Sequence, residues 1–156
     1  MPHPRTRARE LALQYLYMYD SLAGRDVQAF DEYLAQQTPP PEPGAAAFAR
    51  LLVEAVLEHQ DELDRDISAV ALNWKLSRMA VVDRNILRLG LAELLACPET
   101  PFKVILNEAV ELARRFSSEN ATAFVNGLLD KLRLQHRREP EPARPPADGE
   151  EAPPST

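Results

Sequence analysis

Residues 101–116 read PFKVILNEAVELARRF. Within them Ile105, Ala109, Leu112, Ala113 and Phe116 recur at intervals of three and four, the spacing that lines one side of an α-helix; a half-buried strand would alternate every second residue. Thr100-Pro101 supplies the start, an N-cap followed by proline at the first helical position, where the missing N–H has no partner to lose. The spacing predicts a helix, and the same pattern recurs on both sides of it.

Proline marks where such helices stop, because its ring removes a backbone donor and clashes with the preceding turn. The fourteen prolines fall into four groups: Pro2 and Pro4, Pro39–Pro43, Pro98 and Pro101, and six between Pro140 and Pro154. The intervals 5–38, 44–97 and 102–139 contain none. In the first, Ala8, Leu11, Tyr15, Met18 and Leu22 share one side of a helix that Gly24 would end. A shorter helix covers Val27–Ala35, before a proline-rich loop at Gln36–Gly44. In the second interval Phe48, Leu52, Ala55, Val56, His59 and Leu63 form a stripe, which Ile67–Leu72 continues or restarts ahead of Trp74. Ser77 is the expected N-cap of the next helix, with Met79, Val82, Ile86, Leu89 and Gly90 inside and Pro98 as its stop. In the third, Ser117-Ser118 starts a last helix whose Ala121, Phe124, Val125, Leu128 and Leu132 face inward. The chain reads as all-α, with about six or seven helices on short loops.

Its 156 residues match the length of one domain. No apolar run approaches the ~20 residues of a membrane span. The stretch behind the basic first residues is interrupted by Arg9, Glu10, Gln14 and Asp20, so it does not read as a signal-peptide core, and the expected location is the cytoplasm. Residues 1–138 are read as one helical domain. Residues 139–156, rich in Pro, Glu and Ala without a large apolar side chain, are expected to form a disordered acidic tail.

The net charge of −6 argues at first against a nucleic-acid partner. Its layout argues differently. Arg5, Arg7 and Arg9 start the chain with no acid among the first nine residues, and Lys131, Arg133, Arg137 and Arg138 crowd residues 131–138. Acids gather instead in Glu54–Asp66, with six carboxylates against Arg65, and in the tail, with five against Arg144. Arginines at a helix N-terminus oppose the macrodipole, which favours acids there, so an anion or partner that compensates them is the functional expectation.

Catalytic and metal chemistry find little support. His3, His59 and His136 stand in unrelated segments, and the lone Cys97 offers neither a disulfide nor a zinc pattern. His59, on an apolar stripe, is expected as a hydrogen-bonded core histidine. The five glycines are too scattered for a phosphate-cradling loop. Gly90 and Gly127, inside helices, are expected at close helix crossings, since glycine there costs about 1 kcal/mol relative to alanine. Asn107 and Asn126 are expected to cap or bridge neighbouring helix ends. Pairs such as Glu54/Glu58 and Glu108/Glu111 read as solvated faces. No enzyme activity, metal or cofactor is expected.

Four stretches together resemble the NusB family of bacterial antitermination factors: RARELALQYLY from Arg7, WKLSRMAVVDRNILRLG from Trp74, PFKVILNEAVELA from Pro101 and FVNGLLDKL from Phe124. Order and spacing agree from about Arg5 to Leu134. The resemblance implies two packed three-helix bundles without catalytic activity. It also implies a protein that pairs with the ribosomal protein NusE, holds the single-stranded boxA segment of ribosomal RNA transcripts, and helps the RNA polymerase antitermination complex read through terminators. By similarity, RNA contacts fall to Arg5, Arg7, Arg9, Asn120 and Phe124, and the NusE surface to Tyr17 and Asp83. Phe124 also suits the core stripe, so a shared role with one ring edge exposed is expected. Ser117 stands where the family often has glycine, and Asn120 where it often has an acid, which would reduce repulsion toward phosphate. Two other readings remain open: a helical adaptor of the same fold that binds protein only, and, weaker, kinship with the helical domain fused to RNA cytosine methyltransferases.

Overall fold

A computed structural model of the chain describes residues 3–20, 26–72 and 74–136, and every regular element in them is helical. The helices are α1 (Pro4–Met18), α2 (Val27–Ala35), α3 (Pro43–Val70), α4 (Val81–Ala96), α5 (Phe102–Phe116) and α6 (Glu119–His136), with a single 3-10 turn at Leu76–Arg78. The expectations for Leu22, Gly24, Arg137, Arg138 and the 139–156 tail lie outside the described residues. Helices α1, α2 and α3 pack on one another, as do α4, α5 and α6; α4 then lies against both α1 and α3, so the two three-helix bundles share one core.

Local chemistry explains the helix starts. His3 Nδ1 accepts from the Arg5 amide at 3.2 Å, with Pro4 in the first turn of α1. Asp26 caps α2 by accepting from Ala29 N at 2.7 Å. Ser118 Oγ accepts from Ala121 N at 3.1 Å and opens α6 at the expected Ser117-Ser118 start. Pro101 itself is the cap residue of α5, one position later than the Thr100 expectation. Ser77 caps nothing: the chain makes the 3-10 turn there, and α4 begins at Val81 with Ala80 as cap residue and no side-chain cap bond.

Three other expectations are corrected. Met18 is 56% exposed, because α1 buries Leu13 and Leu16 instead, and a helix held between α3 and α4 has more than one inner side. His59 is no core residue. It carries non-helical angles (φ −119°, ψ 18°) at a break in α3, and its exposed imidazole lies 3.9 Å from Glu62. The break comes well before Ile67, which continues the second segment. Gly127 is exposed with open space around it, whereas Gly90 is needed where expected: a Cβ there would stand 2.9 Å from Leu129 Cδ2, and Leu129 is fully buried. Asn107 and Asn126 are both exposed.

Two polar networks cross the bundle junction. In one, Arg88 of α4 donates to both oxygens of Asp64 on α3, at 2.7 and 2.9 Å, and to Asp20 at 2.9 Å; Asp20 also accepts from Asn85 at 2.9 Å and from Arg84. Burial alone would raise the Asp20 carboxyl, but the bonds and charges of Arg84, Asn85 and Arg88 outweigh it and hold the group below its ordinary value. A carboxyl depressed in this way stabilises the fold at neutral pH and loses that contribution as pH falls through its folded-state value, below 3.8. In acid titrations followed by circular dichroism, Asp20→Asn is expected to flatten the loss of stability below pH about 4. An unchanged acid limb would contradict the assignment.

Candidate nucleic-acid interface

The direction of α1 relative to its neighbours places the expected site residues. Thr6 Oγ1 donates to Glu108 at 2.8 Å, and Arg115 pairs with Glu10, so α1 and α5 run the same way. Arg9 meets Glu93 while Asp20 meets Arg84, so α4 runs opposite to α1. Helix α6 folds back along α5 after the Ser117-Ser118 turn. The end of α1, the start of α4 and the start of α6 therefore lie toward one end of the molecule, and the start of α1 toward the other.

Arg5 and Arg7 stand at that far end. Arg5 is exposed, with its guanidinium 4.4 Å from the centroid of Phe48 on α3. Arg7, half-buried, donates to the Pro39 carbonyl of the proline-rich loop. A cleft of about 340 Å³ opens beside Arg5 between His3, Thr100, Val104 and Glu108. Both cations are fixed by secondary contacts that leave charge toward solvent, which lowers the entropy lost when a phosphate is gripped.

Arg9, expected beside Arg5 and Arg7 on the same basic start, is placed differently. It is 5% exposed and donates from Nε and Nη2 to the two oxygens of Glu93, at 2.8 and 2.6 Å, with Glu108 at 3.6 Å from Nη1. Burial alone would lower its pKa; the bonds to Glu93 and the charge of Glu108 outweigh that and raise it. Glu93 is 2% exposed, and an ionised carboxylate at that depth requires a cation. The same carboxylate and Glu99 add to burial in pushing the Cys97 thiol up to about 11, so it stays protonated. Glu108, read as part of a solvated pair, belongs to this network.

At the other end Asn120 is exposed in the first turn of α6. Phe124 is half-buried, its ring edge-on to Trp74 at 6.4 Å between centroids, and Trp74 is 55% exposed. Near the end of α5 Arg115 is exposed, paired with Glu10 of α1 and 5.0 Å from the Phe116 centroid. Arg114 is exposed beside it and paired with Glu111. Such surface pairs contribute only ~0–1 kcal/mol and exchange readily for phosphate. Sequence reasoning passed over Arg114, Arg115 and Trp74; the arginine doublet immediately before the Ser117-Ser118 turn was the available signal.

Tyr17 is 48% exposed near the end of α1. Asp83 lies in the first turn of α4, where its charge suits the helix dipole, and its Oδ1 is buried without a hydrogen-bond partner among the described residues. The Asp20–Arg84 bond ties these two helix ends together, so the two residues fall in one region, apart from Arg5 and Arg7.

Comparison with known proteins covers most of the chain. The NusB family model matches residues 6–133. The transcription antitermination protein NusB of Myxococcus xanthus is 45% identical over 130 residues, covering 82% of this chain and 93% of that protein. NusB of Desulfatibacillum aliphaticivorans is 42% identical over 135 residues, covering 86% and 93%. Among solved structures, T. maritima NusB aligns with a TM-score of 0.79 at 34% identity, covering 88% of this chain and 96% of the other. A crystal structure of the antitermination factors NusB and NusE in complex with dsRNA aligns at 0.76 and 28% identity, covering 86% and 99%.

Proposed function

The chain belongs to the NusB family, and from that membership we propose that it is a transcription antitermination factor that holds boxA RNA of ribosomal RNA transcripts together with NusE. It acts in the cytoplasm within the RNA polymerase antitermination complex, without catalysis of its own. The observation that carries this reading is a set of solvent-reaching side chains of fitting chemistry: Arg5 and Arg7 at the start of α1, Arg114 and Arg115 near the end of α5, and the Phe124–Trp74 aromatic pair beside Asn120. Single-stranded RNA is held by cationic contacts to phosphate and by stacking of unpaired bases on aromatic or guanidinium planes, and these side chains offer both.

Roles follow from placement. Arg5 and Arg7 contact phosphate, Phe124 with Trp74 offers a stacking edge, and Asn120 approaches the backbone without adding negative charge. Arg9 acts indirectly, by fixing α1 against α4 and α5. Tyr17 and Asp83 take the NusE side. The RNA-binding unit comprises residues 1–138, and the acidic segment 139–156 lies outside it.

Titration of a boxA oligonucleotide at fixed salt tests the reading. Affinity is expected to rise when NusE is added, and Asn120→Asp to weaken binding several-fold through repulsion from the RNA backbone. Equal affinities with and without NusE would refute it. NusE binding in the absence of any RNA contact at α1 would favour the protein-only adaptor.

A further inference from the structure

The acid-rich Glu54–Asp66 stretch plays no part in the RNA surface, and the structure gives it a definite setting. Glu54, Glu58, Glu62 and Asp66 follow at four-residue intervals along α3 and, despite the break at His59, all border one groove between α3 and the end of α4. Its cavity volume is about 590 Å³. Its walls are apolar: Leu51 and Leu95 are 42% and 48% exposed there, above buried Leu63 and Ala92. Leu51 and Leu95 thus line one apolar groove rimmed by polar side chains, the setting in which exposed apolar surface marks a contact site.

The rim is poorly neutralised from within. Arg50, at one end, is paired with Asp31 outside the groove at 3.2 Å, Asp66 meets His136 at 3.2 Å, and Glu62 meets His59 at 3.9 Å. Glu54 and Glu58 have no ion pair among the described residues. Like charges four apart on a helix destabilise it. An apolar trough with an uncompensated acidic edge also repels nucleic acid, so RNA is excluded as its occupant.

We propose that this groove docks a basic amphipathic helix of a protein partner. Its apolar side chains seat between Leu51 and Leu95, and its Lys and Arg side chains lie along the α3 carboxylates. Helix-in-groove recognition works in this way, with anchors at i, i+3, i+4 and i+7. The acidic row from Glu54 to Asp66 spans ~18 Å, three to four turns of such a helix. The segment 139–156 does not match: it carries five acids against Arg144 and no large apolar side chain. No residue of the RNA surface lines the groove, so this proposal and the RNA reading fail independently.

The test is fluorescence anisotropy of three labelled peptides of about 16 residues with the full-length protein: leucine-faced with Lys and Arg flanks, leucine-faced with Glu flanks, and the basic composition scrambled. The first is expected to bind saturably with Kd well below ~1 mM, weakening with salt, and the other two at least tenfold more weakly. Glu58→Lys combined with Glu62→Lys, and separately Leu95→Ser, are each expected to weaken it about tenfold while boxA affinity in the presence of NusE stays unchanged, which also verifies folding. Absence of saturable binding up to ~1 mM, or equal affinity in these variants, overturns the proposal. So does displacement of the basic peptide by a peptide of residues 137–156, which would assign the groove to the chain's own end. Self-association abolished by Leu95→Ser would assign it to a second copy and overturn it equally.

Discussion

Arg9→Met is expected to lower the free energy of unfolding by about 3–5 kcal/mol, measured by urea denaturation. The substitution keeps most of the apolar stem but removes the guanidinium from both oxygens of Glu93, a carboxylate only 2% exposed. Most of the loss comes from the stranded charge rather than from the bond itself, because a buried ion without a partner carries its full desolvation penalty. Adding Glu93→Leu should therefore recover most of the stability. A double variant no better than the single would show that the loss came from packing. Folded domains keep only ~5–15 kcal/mol, so the single variant will also bind RNA poorly at moderate temperature, and that weakness should vanish where the protein remains folded.

Arg88→Ala is expected to cost a similar ~3–5 kcal/mol, since one guanidinium serves Asp64 and Asp20 from three bonds across α3, α4 and the end of α1. Asp20 would keep Arg84 and Asn85, which places the estimate toward the lower end. Arg50→Ala is the control. Its pair with Asp31 is about half exposed on both sides, and such pairs contribute at most ~1 kcal/mol. Equal losses for Arg88→Ala and Arg50→Ala in the same denaturation series would contradict the structural role given to the junction network.

Helical class, proline boundaries, the α2 span and the need for glycine at position 90 could all be read from the sequence, because each rests on local chemistry or on apolar periodicity. The errors share a cause: they depend on what a helix meets across the core. Periodicity put Met18 and His59 inside, yet α1 is covered from two directions and α3 breaks at His59. The buried setting of Arg9 was not legible either, because its partner Glu93 lies 84 residues away. The acidic stretch could be counted but not located, and only the groove shows that its carboxylates share one face. Trp74 had no role legible in its own stretch, since its pairing with Phe124 joins distant segments.

The layout of charge reconciles a net charge of −6 with the proposed RNA-binding role. Arg5 on α1 and Arg114 and Arg115 on α5 are exposed, four acids of α3 border a separate groove, and Arg9 of the basic start is consumed by the core. The most direct test is the salt dependence of boxA affinity in the presence of NusE, comparing the wild-type chain with the Arg5→Ala/Arg7→Ala double variant. For single strands the slope of log affinity against log salt changes by ~0.7 for each phosphate that is no longer neutralised. The double variant should thus bind more weakly, with a slope shallower by roughly 1.4, and unfold at the same urea concentration. Identical affinity and slope in the two proteins would contradict the assignment of the basic start of α1 to RNA.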